Sequence, residues 1–213
     1  MNTDKKTYNK EIDEAVERVN NGQSVSNEEV MKEIDNLFVK PILFLDHDGV
    51  ICLSTEWGSR FKNKEGLDST FDRFNDKAIK VLNKIIEETD CEIVISSDWR
   101  FHATLEQMQE LYEIRGIKKL PIDYTPSLTF TTSSFSNSYA EPNETRSYEI
   151  KDWLKKHPEV THWVAVDDLD MSNHFGPISG NHIWGLDNFV HTPRSSEGIK
   201  QSGIKEKIIK FLK

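Results

Sequence analysis

The sequence is poor in cysteine, in long apolar runs and in basic residues relative to acidic ones. Its two cysteines, Cys52 and Cys91, form no CxxC pair, so we expect both thiols to be buried packing residues in a reducing compartment. No stretch reaches the roughly 18 apolar residues that span a bilayer. The charged N-terminal residues contain no apolar secretory core. These absences predict a cytoplasmic protein that does not associate with a membrane.

The charge balance argues against nonspecific binding to nucleic acid. The chain carries 27 Lys and Arg against 36 Asp and Glu, which gives a formal net charge of −9. Broad binding to nucleic acid depends on a basic surface that neutralises phosphates. The acidity does not exclude local recognition of a phosphorylated end.

Residues 1–39 have the pattern of a helical hairpin. Apolar residues at helical spacing run from Tyr8 to Val19. Ser26 and Glu29 then form a capping box that opens a second amphipathic helix. Helices this short are not stable alone. We therefore expect the hairpin to pack on the rest of the chain, on a protein partner or on a second copy.

From residue 40 onward the pattern changes to alternating strands and helices. The predicted strands are Ile42–Asp46, Glu92–Ser96, Ile122–Tyr124, Trp163–Val166 and Phe189–His191. The predicted helices are at about 74–89, 103–115, 146–156 and 199–212. Such alternation predicts an α/β fold, a three-layer, Rossmann-like parallel sheet with helices on both faces. Residues 40–213 would form this domain, and ligands of such sheets bind at the carboxyl ends of the strands.

Three of the predicted strands end in carboxylate or hydroxyl side chains. The run PILFLDHDGVI leads from a buried strand into Asp46 and Asp48, CEIVISSDWR leads into Ser96, and HWVAVDDLD leads into Asp167 and Asp168. Carboxylates gathered at one sheet edge repel one another unless a cation neutralises them. Carboxylate oxygens suit Mg²⁺, and the sequence has no His/Cys cluster at zinc spacing.

These runs resemble the four motifs of the haloacid dehalogenase (HAD) superfamily of phosphohydrolases. Residues 41–50 look like the first motif, an apolar strand followed by D-x-D-G-V, and IVISS looks like the second. Arg146 stands where the third motif places its Lys or Arg, and VAVDD is similar to the fourth. More narrowly, SSDWR, R-x-x-E-I-x-x-W-L and VDD resemble the small HAD domains linked to RNA-repair proteins. The resemblance implies a Mg²⁺-dependent phosphatase.

The resemblance also implies a role for each acidic residue. Asp46 would be the nucleophile that forms an aspartyl-phosphate. Asp48 would be the general acid for the leaving oxygen and then the general base for water. The ligands of Mg²⁺ would be the Asp46 carboxylate, the Asp48 backbone carbonyl and Asp168. Asp167 would support the site or exchange roles with Asp168.

The second and third motifs each leave two residues open. Ser96 would hydrogen-bond a phosphoryl oxygen, but a slip of one residue along the strand exchanges it with Ser97. Arg146 would neutralise charge on the nucleophile and the phosphate. Lys151, further along the same predicted helix, competes for this position.

Residues beside the motifs have simpler explanations. Trp99 is expected in the core, and His47 is expected to be a spacer between the two aspartates. Arg100 would reach either a substrate phosphate or a structural carboxylate. His191 shows no ligand spacing, so we expect it to lie at the surface or to serve in packing.

The short gap between the first two motifs leaves little room for a cap domain. About forty residues separate the motifs, fewer than an independent domain usually needs. An open site favours large or macromolecular substrates, with partial lids expected at 54–70 and 127–145. The expected substrate is a phosphomonoester, either a small molecule or a nucleotide or polynucleotide end. The alternative is a non-catalytic regulatory or binding protein with a vestigial metal site.

Overall fold

A computed structural model of the chain describes residues 39–54, 74–128, 142–172 and 185–213. The two helices predicted within residues 1–39 lie outside these ranges, and their expected binding to a partner stays a prediction. Most of the two segments predicted as partial lids, 54–70 and 127–145, also lies outside the described residues. No helix in the described part is long and apolar enough to cross a bilayer.

Within the described residues, the core of the fold is a sheet of five parallel strands in the order β3-β2-β1-β4-β5. The strands are β1 Ile42–Leu45, β2 Glu92–Ile95, β3 Pro121–Tyr124, β4 Trp163–Asp167 and β5 Phe189–His191. The central strand β1 pairs Leu45 with Ile95 of β2 and with Val166 of β4. Each predicted strand is present, with bounds that differ by no more than one residue.

Four α-helices and two 3₁₀ turns complete the described part of the chain. The helices are α1 Asp76–Thr89, α2 Leu105–Ile114, α3 Pro142–Lys156 and α4 Ile204–Leu212. The 3₁₀ turns are Asp98–Phe101 and Gly198–Lys200. The side chain of Asn75 caps α1, and Thr104 with Gln107 forms a capping box on α2.

The alternating side chains of β1 divide the core into two layers. Leu43 and Leu45 face a cluster that includes buried residues of α1, α2 and α4. Ile42 and Phe44 face the other cluster, where Trp153 of α3 packs edge-on against Phe44 with ring centroids 5.2 Å apart. Helices therefore cover both faces of a parallel sheet, which confirms the predicted three-layer α/β fold.

Two predicted helices have different bounds in the structure. The helix predicted at 199–212 is a 3₁₀ turn followed by α4, because Gly203 adopts a left-handed conformation with φ +82° at the N-cap of α4. The helix predicted at 146–156 begins at Pro142, since proline is favoured in the first turn of a helix. Residues 142–145 were thus wrongly predicted as loop, and Arg146 lies in the second turn of α3.

The sheet brings the motif residues to one edge. Asp46 directly follows β1, Ser96 directly follows β2, and Asp167 is the last residue of β4. Backbone hydrogen bonds continue the pairing at this edge, where the Ser96 N–H donates to Leu45 at 3.0 Å. The predicted convergence of the three strand ends is confirmed.

Candidate active site

The centre of the candidate site is the buried carboxylate of Asp46, paired with Arg146. Asp46 is only 3% exposed. Nη1 of Arg146 donates to Asp46 Oδ1 at 2.8 Å, to Asp167 Oδ2 at 3.1 Å and to the Ser96 carbonyl at 2.9 Å. Nη2 donates to Asp98 Oδ1 at 2.9 Å. One guanidinium from α3 therefore joins the ends of β1, β2 and β4.

Three carboxylates at this edge are close enough to share one cation. Oxygens of Asp46, Asp167 and Asp168 all lie within 4.8 Å of one another. Ser195 Oγ donates to Asp168 Oδ2 at 3.1 Å and orients that carboxylate. This donor set, all carboxylate oxygen, is the type that Mg²⁺ prefers.

A glycine gives the Asp168 carboxylate the space that it occupies. Gly49 has φ +72°, and a Cβ built on it would lie 2.1 Å from Asp168 Oδ2. The left-handed backbone and the close approach both require glycine at this position. The turn after β1 is therefore shaped to admit the carboxylate from the end of β4.

Burial and mutual repulsion raise the pKa of the three carboxyl groups. For Asp46, burial is the largest cause, repulsion from Asp167 adds to it, and Arg146 acts in the opposite direction. Burial raises the pKa of Asp167 to about 6 against the pull of Arg146, and burial also raises the pKa of Asp168. Burial lowers the pKa of Arg146, but the nearby carboxylates outweigh it and raise the pKa overall. The cluster thus has a deficit of positive charge that a divalent cation would fill.

Asp48 lies beside this cluster and is held by an indole. Oδ2 of Asp48 accepts a hydrogen bond from Trp99 Nε1 at 3.0 Å. Trp99 is buried, as predicted, but its bond to Asp48 was not predicted. The sequence signal was present, since the 3₁₀ turn that carries Trp99 directly follows the second motif.

The two serines after β2 have different surroundings. Ser97 Oγ accepts from the Trp99 N–H at 3.5 Å and caps the 3₁₀ turn. Ser96 Oγ is buried and has no hydrogen-bond partner among the described residues. A buried hydroxyl without a partner is uncommon, and this one lies at the strand end beside Asp46. The geometry therefore favours Ser96 over Ser97 as a ligand-binding group.

Of the two cations predicted for the third motif, Arg146 is the one that contacts Asp46. Lys151 is half-buried, and its Nζ lies 5.9 Å from the centre of the Tyr148 ring. Five residues correspond to about 1.4 helical turns, so the two side chains leave α3 in different directions. The charged group of α3 that contacts Asp46 is thus a guanidinium and not an ammonium.

Further contacts around the site were missed or left open by the sequence. Asp98 binds Arg146 and Ser195 binds Asp168, and both residues follow strands that end at this edge. The ring of His191, expected at the surface or in packing, donates from Nε2 to the Asp168 carbonyl at 2.9 Å. Arg100 pairs with the buried Glu149 at 2.7 Å, so its partner is a structural carboxylate.

His47, between the two aspartates, belongs to the core. Nε2 of His47 lies 2.8 Å from the Tyr112 hydroxyl. Burial and the charge of Arg146 lower the pKa of His47 to about 3. The ring is therefore neutral at neutral pH and contributes packing and hydrogen bonding rather than charge.

Comparison with known proteins identifies the family. A family model described as the HAD domain in Swiss Army Knife RNA repair proteins matches residues 42–195, a range that contains Asp46, Arg146, Asp167 and Asp168. No curated protein and no solved structure gives a significant match. The match covers most of the chain and includes all four motifs. The chain therefore belongs to the HAD superfamily, in the family of HAD domains of Swiss Army Knife RNA repair proteins.

Proposed function

We propose that this protein is a Mg²⁺-dependent phosphomonoester hydrolase that acts through an aspartyl-phosphate on Asp46. The observation that carries the proposal is the buried Asp46 carboxylate, which touches the Arg146 guanidinium and lies within 4.8 Å of oxygens of Asp167 and Asp168. Desolvation of a carboxylate is costly, so such an arrangement favours a chemical role over a structural one.

The proposed reaction has two steps. An oxygen of Asp46 attacks phosphorus, the bond to the leaving oxygen breaks, and that oxygen takes the bonding electrons and a proton from the Asp48 carboxyl. Water then attacks phosphorus and gives a proton to the Asp48 carboxylate. The P–O bond to Asp46 breaks, which releases phosphate and regenerates both aspartates.

Arg146 and Ser96 would bind the phosphoryl group. The guanidinium of Arg146 neutralises charge on Asp46 and on the incoming phosphate, and the buried Ser96 hydroxyl donates to a phosphoryl oxygen. Phosphoryl transfer requires little beyond positioning and charge stabilisation. Nη1 of Arg146 binds both Asp46 Oδ1 and the backbone carbonyl of Ser96, so both residues lie near Asp46.

The donor set at the strand ends fits Mg²⁺. The ion would be held by Asp46, Asp168 and the backbone carbonyl of Asp48. Asp167 would support the site through its contact with Arg146 or would exchange roles with Asp168. When bound, Mg²⁺ supplies positive charge that offsets the repulsion between nucleophile and phosphate. The raised pKa values of the three carboxyl groups support this proposal, because a nearby cation would favour their ionised forms.

An exposed ring favours a nucleotide or polynucleotide end over a small metabolite. Phe101 is 59% exposed, three residues after Asp98, which binds Arg146. The guanidinium carbon of Arg100 lies 4.9 Å from the centre of the Phe101 ring. Aromatic side chains that stack a base contribute about 1–3 kcal/mol. The family's link to RNA repair and the net charge of −9 together favour recognition limited to the phosphorylated end.

Phosphate release in a cytoplasm-like buffer tests the proposed activity. We expect hydrolysis of a generic aryl phosphate with Mg²⁺ and none with chelator. Asp46→Asn should abolish hydrolysis, whereas Asp90→Asn, the same change at the C-cap of α1, should not. If Mg²⁺ raises the melting temperature but no phosphate is released, the chain is a binding or regulatory protein with a vestigial site.

Phosphorylated oligonucleotides test the proposed substrate. Phe101→Ala should raise KM for an end-phosphorylated oligonucleotide about tenfold, which corresponds to the loss of one stacked base. The same variant should hydrolyse the aryl phosphate at the wild-type rate. Equal effects on both substrates would contradict the assignment of Phe101.

A further inference from the structure

A buried tryptophan holds the carboxyl group of Asp48. Nε1 of Trp99 lies 3.0 Å from Asp48 Oδ2. Trp99 lies in the 3₁₀ turn Asp98–Phe101, whereas Asp48 lies in the turn after β1. The bond therefore connects the segments that follow β1 and β2.

The indole is itself fixed on two sides by other rings. Phe74 stacks on Trp99 with ring centroids 5.3 Å apart and planes at 16°. His47 meets the same indole edge-on, with centroids 5.0 Å apart. Trp99 is 3% exposed, so its rotamer is set by packing and its N–H has one direction. A donor fixed in this way restricts the rotation of the carboxyl group that it binds.

We propose that Trp99 is a positioning residue for Asp48, whose carboxyl group it holds in the orientation for proton transfer to the leaving oxygen. The inference rests on the proposed roles of Asp46 and Asp48. Packing alone would need only the ring of Trp99, whereas positioning needs its N–H. This difference separates the proposal from a structural explanation of the buried indole.

Removal of the Trp99 N–H should slow hydrolysis by a factor that depends on the leaving group of the substrate. We expect Trp99→Phe to lower kcat/KM for phenyl phosphate by about 10- to 100-fold, the usual effect of a lost hydrogen bond to an acidic group. For 4-nitrophenyl phosphate, whose leaving group needs little protonation, the loss should stay below about threefold. A general disturbance of the site would lower both values equally and would overturn the proposal.

A double-mutant cycle tests whether Trp99 acts through Asp48. In the Asp48→Asn background there is no carboxyl proton to position, so Trp99→Phe should have no further effect on kcat/KM. Additive losses would show an independent role for Trp99 and would overturn the inference. An increase in activity on Trp99→Phe would also overturn it, because it would mean that the indole holds Asp48 away from the reaction.

Two measurements keep the test valid if Trp99→Phe folds poorly. Replacement of Trp99 by β-(3-benzothienyl)alanine keeps the shape of the ring but replaces the N–H by sulfur, and it should reproduce the leaving-group effect. The chain has five tryptophans, and the indole ¹H–¹⁵N signal that disappears in the benzothienyl variant is the signal of Trp99. That signal should shift in Asp48→Ala, because its hydrogen-bond acceptor is removed. An unchanged signal would contradict the hydrogen bond, independently of activity. If wild-type protein releases no phosphate, the proposed function fails and this inference fails with it.

Discussion

Removal of the Arg146 guanidinium should destabilise the fold strongly in the absence of metal. In Arg146→Met, Asp46 and Asp167 would remain buried, with 3% and 1% exposure, and would lose their shared cation. Removal of one partner from a buried ion pair typically costs about 3–5 kcal/mol. The exposed carboxylate of Asp98 adds little to this value. At roughly 2–4 °C per kcal/mol for a chain of this length, we expect the melting temperature to fall by about 6–20 °C.

Thermal unfolding at neutral pH, with chelator and with Mg²⁺, provides the assay. The matched control is Arg194→Met, which removes an exposed arginine whose ion pair is with Glu197 and should cost less than about 1 kcal/mol. Excess Mg²⁺ should recover part of the loss in Arg146→Met, because it replaces positive charge beside the same carboxylates. If Arg146→Met melted with chelator within about 2 °C of wild type, Arg146 would not be the charge that makes this burial tolerable.

Two further variants test the charge and the shape of the cluster. Because burial raises the pKa of Asp167 from 3.8 to about 6, the folded state binds its proton more tightly, so this group stabilises the fold at low pH. As the pH rises from about 4 to 6, the free energy of unfolding of wild type with chelator should therefore fall by up to about 3 kcal/mol relative to that of Asp167→Asn. A difference in melting temperature that does not change with pH would refute this. Gly49→Ala places a Cβ 2.1 Å from Asp168 Oδ2 and should weaken Mg²⁺ binding at least tenfold by calorimetry, about 1.4 kcal/mol. Gly116→Ala has a similar φ of +70° but no neighbouring atom within 4 Å, so it should leave Mg²⁺ affinity unchanged; equal affinities in both variants would contradict the role of Gly49.

The sheet and its functional edge could be predicted because their signals are local. Continuous apolar runs predict buried parallel strands, and the alternation with amphipathic helices fixes the fold class. Asp46 and Asp167 could be placed together without coordinates, since residues at the carboxyl ends of neighbouring parallel strands meet at one edge. Strands β1 and β4 have only four and five residues, so the position of their carboxyl ends could be predicted to within one residue.

The contacts that hold the site could not be predicted, because they depend on side-chain directions across long sequence separations. The bond from Trp99 to Asp48 spans 51 residues, and the bond from Ser195 to Asp168 spans 27. A sequence pattern places such residues near an edge but does not orient them. The start of α3 was missed for a different reason, since residues 142–145 have no apolar periodicity to extend the helix.

Chemical trapping of the phosphorylated enzyme tests the central claim most directly. Acid quench during turnover with Mg²⁺ and an aryl phosphate, followed by borohydride reduction, converts a phosphoaspartate to homoserine, which mass spectrometry locates in the chain. We expect homoserine at position 46 and none in protein quenched without substrate. Trapping at another aspartate, or turnover with no trapped residue at 46 while phosphate accumulates, would contradict Asp46 as the nucleophile.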